Sequence, residues 1–297
     1  MKTALKSALK SIFPRSLLRE LQWWHVRLVV LAARRRRRGG ERKPHPLPGR
    51  MIVSLTSYPP RFGTLELTLN SLLEQTIMPD EIVLWIADQD MPKLPENILR
   101  LQGRGITIRT CEDLKSYKKL VPAIEAEPGA FIVTADDDLY YEPTWLEQLA
   151  EAWDGDRRTI LARRAHRVKE DSKGRIAPYA SWGWEVWDDA ARKPSADILA
   201  TSGAGALFPP GALDPRVTDR SLFQTLSPTA DDLWFYWMAR LAGTRSKVVG
   251  RRSRTVMWPL PLENSLAATN NFGGNDRQIR MLEEAFGNPI RVQGQGR

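Results

Sequence analysis

Between Met51 and Thr134, short runs of apolar, β-branched residues alternate with stretches whose leucines recur at helical spacing, and that alternation restricts the fold most. Met51 to Ser57 opens as such a run and is stopped by Tyr58-Pro59-Pro60, which predicts a buried strand followed by a loop. The period then changes. Leu65, Leu69, Leu72 and Leu73 fall at i, i+4, i+7 and i+8, predicting a helix with Thr64 as its N-cap that ends before Pro79. Glu81–Ala87 reads as the next strand, Ile106–Thr110 as a short strand, Ser116–Ala126 as a helix and Ala130–Thr134 as a strand. Further on, the pattern predicts a helix over Pro143–Trp153, a strand over Thr159–Arg163 and a helix from about Thr229 to Leu241. A last helix is predicted over Asp276–Phe286, capped by Asn275 or Asp276, with Gly287 just past its end. Such a chain builds an α/β fold, a mostly parallel sheet flanked by helices, whose ligands sit outside the carboxyl ends of the strands.

The first 49 residues follow different rules. Residues 1–50 hold 14 Lys/Arg against 2 acids, so that of the 44 basic and 35 acidic residues in the chain, 30 and 33 remain from residue 51 onward. The net charge of +9 is thus a property of an arm and not of the body. Leu5, Leu9 and Ile12 share one helical face and Lys2, Lys6 and Lys10 another, which predicts a short amphipathic basic helix over Met1–Ile12. A second stretch carries the paired Trp23 and Trp24 and ends in Arg34 to Arg38. Arg19, Glu20, His25 and Arg27 interrupt it, so it falls short of the ~20 apolar residues a membrane span requires, and no signal-peptide cleavage pattern follows. Tryptophans beside a polybasic run suit an anionic membrane surface, reached through residues 1–38, and equally a solvated tail or a helix packed on the body. Gly39 to Gly49, with three prolines, reads as a linker. The division expected is an arm and linker over 1–49 and a folded domain over 50–297.

Two acidic groups carry the chemistry. Asp136-Asp137-Asp138 ends a predicted strand, so carboxylates stand at the rim of the sheet, where hard divalent cations find oxygen ligands. An Asp-rich strand end is also an ordinary turn. Asp231-Asp232 opens a predicted helix, a place that favours carboxylates through the macrodipole alone and that also suits a general base facing a hydroxyl. Other chemistries lack their residues. Cys111 is the only cysteine, His25, His45 and His166 are scattered, and neither a Walker A sequence nor a Gly-x-Gly-x-x-Gly fingerprint is present.

Taken together, Thr56-Ser57-Tyr58 after the first strand, Asp88 after the second, the Asp136 to Asp138 triplet and Asp231-Asp232 resemble a GT-A-fold glycosyltransferase, close to family 2, over about residues 51 to 287. The resemblance implies transfer of a sugar from a nucleotide diphospho-sugar to a glycan or lipid-linked acceptor. It implies Mn²⁺ or Mg²⁺ held by Asp136 and Asp138, and a nucleotide held by Thr56, Ser57, Tyr58, Arg61, Asp88 and Asp137, with Lys119 adding charge near the phosphates. Asp232, with Asp231, takes the position of that family's acidic base, and Gly203 and Gly205 allow sugar or acceptor to approach the backbone. The nucleotide-binding half is expected at about 50–140 and the acceptor half at about 141–290. In-line attack would invert the anomeric centre.

Two departures shape this reading. The base motif reads Asp-Asp where Glu-Asp is usual, and no Gln-x-x-Arg-Trp follows Asp232, which disfavours a processive synthase. The setting expected is cytoplasmic, peripheral on the inner face of the cell membrane, in surface polysaccharide or lipopolysaccharide assembly. The competing readings are a sugar-phosphate nucleotidyltransferase, and a non-enzymatic protein whose arm binds membrane or nucleic acid. The second gives the acidic groups of the body no role.

Overall fold

Seven strands form one sheet: β1 (Met51–Thr56), β2 (Glu81–Ala87), β3 (Ile106–Cys111), β4 (Phe131–Ala135), β5 (Thr159–Ala162), β6 (Ala206–Phe208) and β7 (Arg245–Val248), in the spatial order β7-β5-β6-β4-β1-β2-β3. The computed structural model describes residues 15–36, 42–252, 256–259 and 274–292, and the sheet lies wholly within them. The helix expected over Met1–Ile12, and Arg37 and Arg38, lie outside the described residues.

Strands β4, β1, β2 and β3 run parallel, as does the pair β5 and β7, while β6 is antiparallel to both of its neighbours. Along β1, Met51, Val53 and Leu55 face one core layer and Ile52 the other, so the strand is buried on both sides and its apolar run is continuous. On the first face packs α2 (Phe62–Leu73), which buries Leu65, Leu69 and Leu72; each buried leucine contributes about 2 kcal/mol. On the other lie α3 (Val121–Ala126), α5 (Asp231–Leu241) and α6 (Asn275–Phe286), with Trp234 and Trp237 fully buried. The strand ends that carry Ser57, Asp88 and Asp136 therefore share one edge of the sheet.

Local boundaries differ from expectation for identifiable reasons. The segment 116–126 is not one helix: a 3-10 turn over Lys115–Lys119 gives way to α3, because Pro122 has no N–H for a continuous helix and instead occupies the first turn of a new one. Helix α4 covers Trp145–Ala150 and not Pro143–Trp153, since the Pro143 carbonyl accepts from Thr76 N at 2.8 Å and fixes a turn there. Thr64 does not cap α2; its hydroxyl turns back to the Arg61 carbonyl at 3.5 Å. Neither Asn275 nor Asp276 caps α6. Gly274 holds that position and Asp276 Oδ1 accepts from Tyr179 N at 2.7 Å, while Gly287 closes the helix with φ of 79°, a conformation that favours glycine.

The arm is partly docked. Helix α1 (Arg15–Arg36) buries Val26 against Tyr140 and Trp258, and Trp23 stacks on Trp258 with ring centroids 6.4 Å apart. Among the described residues no helix is long and apolar enough to cross a membrane. The expected linker is tied down as well: Lys43–Pro44 pairs in parallel with Ile77–Met78, His45 Nε2 lies 2.8 Å from Asp80 Oδ2, and Leu47 is buried.

Candidate active site

The Asp136 to Asp138 triplet leaves β4 at the carboxyl edge, and its side chains are held by Lys119, Ser57 and Arg61. Asp136 Oδ1 accepts from Lys119 Nζ at 2.7 Å. Asp137 is buried, accepting from Ser57 Oγ at 2.5 Å and Arg61 Nη1 at 2.7 Å, and Asp138 pairs with the same Arg61 nitrogen at 3.1 Å. Arg61 thus neutralises the two inner carboxylates; its guanidinium stays charged because Asp137 and Asp138 outweigh its burial.

Lys119 joins this triplet to the second acidic group. Its ammonium lies 3.3 Å from Asp231 Oδ2, so one buried cation bridges carboxylates 95 positions apart in the chain. Burial would lower its pKa, but Asp136 and Asp231 hold it well above the ordinary lysine range. Burial alone would raise the Asp136 carboxyl, yet Lys119 and Arg164 keep it below the usual value. Asp138, with no ammonium of its own, is pushed up to about 6 by burial and by Asp136. Asp231 is raised, by burial first, with Lys119 opposing and Asp232 adding to the shift.

Asp232, one residue into α5, turns to the loop ahead of β6. Its Oδ1 accepts from Ser202 N at 2.9 Å and Ser202 Oγ at 2.5 Å, which leaves Oδ2 without a hydrogen-bond partner among the described residues. The same loop closes on the triplet. A Cβ on Gly203 would stand 1.7 Å from Asp136 Oδ2, and one on Gly205, whose φ is 112°, would stand 2.4 Å from Trp145 Nε1. Tyr141 fastens the contact: its hydroxyl donates to the Gly203 carbonyl at 2.6 Å and accepts from Asp136 N at 2.7 Å.

Of the residues singled out in the sequence, Ser57, Arg61, Lys119, Asp136, Asp137, Asp138, Asp231, Asp232 and Gly203 converge. Thr56 and Asp88 lie on the same sheet edge outside that cluster; the Thr56 hydroxyl donates to Trp85 O at 2.8 Å and Asp88 is exposed. The Tyr58 ring lies 5.7 Å from the Arg61 guanidinium carbon. Ser202, Tyr141 and Trp145 had no signal of their own, because each acts through a contact some 30 or more residues away.

Beside Asp232 an aromatic wall is formed by His166, Tyr179 and the half-exposed Trp184, with the His166 and Trp184 rings 4.6 Å apart and Tyr179 and Trp184 5.0 Å apart. Trp182, in contrast, is core. Burial, and then Arg164, push the His166 imidazole from 6.5 down to about 4. Above 6.5 both states are neutral there. As the pH falls from 6.5 to about 4 only the unfolded chain takes up the proton, so stability declines across that window by about 3 kcal/mol in total. His166→Gln, able to keep the bond from Glu185 N, is expected to remove this decline in thermal melts between pH 7 and 4; equal pH slopes in both proteins would refute it.

Asp136 and Asp138 are two hard oxygen donors at one strand end, where their present partners are the cations Lys119 and Arg61. Among the described residues no group of three or more His, Cys, Asp or Glu is gathered for a metal, so the protein offers two carboxylates, the number Mg²⁺ or Mn²⁺ commonly takes when water and phosphate oxygens complete the shell. The backbone at Gly203 crowds Asp136 so closely that only glycine fits, which keeps that carboxylate aimed.

Residues 61–208, which span the triplet, Lys119 and Gly203, match the family described as Glycosyl transferase family 2. The chain belongs to glycosyltransferase family 2. No curated protein sequence matches it. Among solved structures, the transferase is similar to TarS (residues 1–349) of S. aureus in complex with UDP, at 15% identity and a TM-score of 0.46, over 70% of this chain and 60% of that one. It is also similar to the mannosyltransferase PcManGT from Pyrobaculum calidifontis in complex with GDP-Man and Mn²⁺, at 15% identity and a TM-score of 0.45, over 87% and 71% of the two chains. A third likeness, at 14% identity and a TM-score of 0.44, is to 4-diphosphocytidyl-2C-methyl-D-erythritol synthase from Anaerococcus prevotii, over 75% of the transferase and 96% of that chain. The transferase thus spans about 60% of the length of the TarS structure it matches.

Proposed function

We propose that the transferase moves a sugar from a nucleotide diphospho-sugar to a hydroxyl of a glycan or lipid-linked acceptor, with Mg²⁺ or Mn²⁺ and with inversion. The observation that carries this reading is Lys119, whose one ammonium touches Asp136 and Asp231 and so makes a single site of the two acidic groups. Asp136 and Asp138 would hold the cation, which when bound neutralises charge on the departing diphosphate. Arg61 keeps Asp137 and Asp138 in place, and the edge formed by Thr56, Ser57, Tyr58 and Asp88 is assigned to the nucleotide. Asp232, fixed through Oδ1 by Ser202, presents Oδ2 to the acceptor hydroxyl as general base. Asp231, held by Lys119, is a positioning residue. Attack by the deprotonated hydroxyl opposite the diphosphate inverts the anomeric carbon. The setting that fits the basic arm is the cytoplasmic face of a membrane, with residues 1–38 on anionic lipid, in surface polysaccharide or lipopolysaccharide assembly.

The test is calorimetric titration of UDP, GDP, CDP and dTDP with and without Mn²⁺ or Mg²⁺. One nucleoside diphosphate is expected to bind in a metal-dependent manner and to bind at least about tenfold more weakly to Asp138→Ala, a difference of about 1.4 kcal/mol. Absence of metal-dependent binding for all four would overturn the assignment. With donor sugar present, release of nucleoside diphosphate and not pyrophosphate separates glycosyl from nucleotidyl transfer.

A further inference from the structure

Between α1 and the body lies a cavity of about 460 Å³. Its arm-side wall includes His25, Val29 and Ala32, and its body-side wall includes Arg164, Ala204 and Arg252. Ala204 belongs to the loop that presses Gly203 against Asp136, so the cavity backs directly onto the carboxylate cluster. Arg164 stands at the shared wall: its Nε donates to Thr201 Oγ1 at 2.9 Å while its charge acts on Asp136. The other guanidinium nitrogens of Arg164, and all of those of Arg252, have no hydrogen-bond partner among the described residues. Of the two acids in the lining, Glu142 is taken by Arg163 at 2.9 Å, leaving Glu185 against Arg164 and Arg252. The lining therefore carries more arginines than carboxylates, with Val29 and Ala32 along α1.

Helix α1 has a second free face. At 100° per residue, Leu21, Trp24, Leu28 and Leu31 fall within a sector of about 80°, next to the sector that holds His25, Val29 and Ala32 and opposite the docked Trp23, Val26 and Val30. Those four side chains are 55%, 61%, 62% and 49% exposed. Large apolar side chains gathered on one exposed face mark an interaction surface, and the sequence continues from it into five consecutive arginines, Arg34 to Arg38. An anionic bilayer meets both the apolar stripe and the charge, whereas an uncharged partner answers only the stripe.

We propose that the cavity is the acceptor subsite and takes the phosphate-bearing head of a membrane-embedded acceptor, with the Leu21/Trp24/Leu28/Leu31 face of α1 seated in an anionic bilayer. The proposal rests on the glycosyl-transfer reading of the site and names its acceptor class. Because the two faces are neighbours on one helix, seating the stripe in lipid brings the cavity to headgroup level. A phosphate on a hydrocarbon chain then finds Arg164 and Arg252 for its charge and the α1 side chains for its first methylenes, with Asp232 beyond the loop.

Two measurements on the full chain test this. In calorimetry, dodecyl phosphate below its micellar concentration is expected to bind, inorganic phosphate at least tenfold more weakly, and dodecyl maltoside not at all. Arg252→Glu weakens dodecyl phosphate at least tenfold and keeps metal-dependent nucleoside diphosphate binding. In flotation, the protein is expected to follow vesicles containing phosphatidylglycerol and not pure phosphatidylcholine, and the double variant Trp24→Glu/Leu28→Glu loses most of that binding. Equal dodecyl phosphate affinity in Arg252→Glu, or inorganic phosphate binding as tightly as dodecyl phosphate, overturns the subsite. Flotation unchanged in the double variant, or a variant that alters only the oligomeric state in sedimentation, overturns the membrane face. Loss of nucleotide binding in the wild type is a different failure, that of the transfer reading, and the amphiphile titration registers separately from it.

Discussion

Asp232→Asn is expected to lower turnover by about 10²–10⁴-fold while leaving the Michaelis constant for the donor within a few-fold of wild type. Asparagine preserves the shape, and its carbonyl oxygen still accepts the two bonds from Ser202 that fix Oδ1. Its amide nitrogen then occupies the place of Oδ2, where it donates a hydrogen bond and cannot take a proton. Lys119 and Asp136 are untouched, so the donor end keeps its charge balance. Steady-state rates with saturating donor, read beside nucleotide titrations, check both halves of the expectation. Turnover within about tenfold of wild type, with donor bound normally, would remove Asp232 as the base.

Lys119→Met is expected to act first on the fold. The substitution deletes a buried ammonium and leaves Asp136 and Asp231 facing each other, a change that costs about 3–5 kcal/mol when one partner of a buried pair is lost. At about 2–4 °C per kcal/mol, the melting temperature at pH 7 falls by about 10 °C. The pH dependence has a definite sign. In the wild type the Asp136 carboxyl is held below its ordinary value, so its contribution is present above that value and fades as the pH falls through the folded one. Without Lys119, burial dominates and both carboxyls hold their protons more tightly in the folded chain than in the unfolded. The deficit of the variant is then largest at neutral pH and shrinks toward pH 5. Melting curves at pH 7 and pH 5 decide it, and an unchanged melting temperature at pH 7 would show that the bridge is not what holds the two acids together.

Strands β1, β2, β4 and β5 were legible because each is buried on both faces and announces itself as an apolar run; Glu81–Ala87 in particular begins and ends where the run does, whereas the three-residue β6 and the partly exposed β7 carried no such run and were not predicted. Helix ends were less so, since Pro143 and Thr229 are engaged by distant partners, Thr76 and Gln278, that no local pattern reveals. At the site, the two acidic groups were visible as chemistry, but not that Lys119 would lie between them. A lysine on a short helical turn looks solvated until the fold sets Asp136 and Asp231 on either side of it. Arg61, which the resemblance sets beside the nucleotide, also pairs with Asp137 and Asp138, contacts some 76 positions away that no local pattern reveals. Ser202 and Tyr141 carry no pattern at all, because their roles are hydrogen bonds closed across the sheet edge.

The antiparallel strand β6 has a consequence for recombining this protein with others of its kind. Ala206–Phe208 comes from the later part of the chain, yet it is hydrogen-bonded between β4 and β5 in the middle of the sheet, with the Ser202–Gly205 loop at its head. A chimera joined at residue 140, meant to exchange donor preference while keeping the acceptor part, would pair a foreign β4 with the native β6 and set a foreign carboxylate against the native Gly203. The two stretches are therefore not separable at residue 140: residues 202–208 pair with β4 on one side and with β5 and Asp232 on the other, so any seam beside β6 cuts across bonded neighbours.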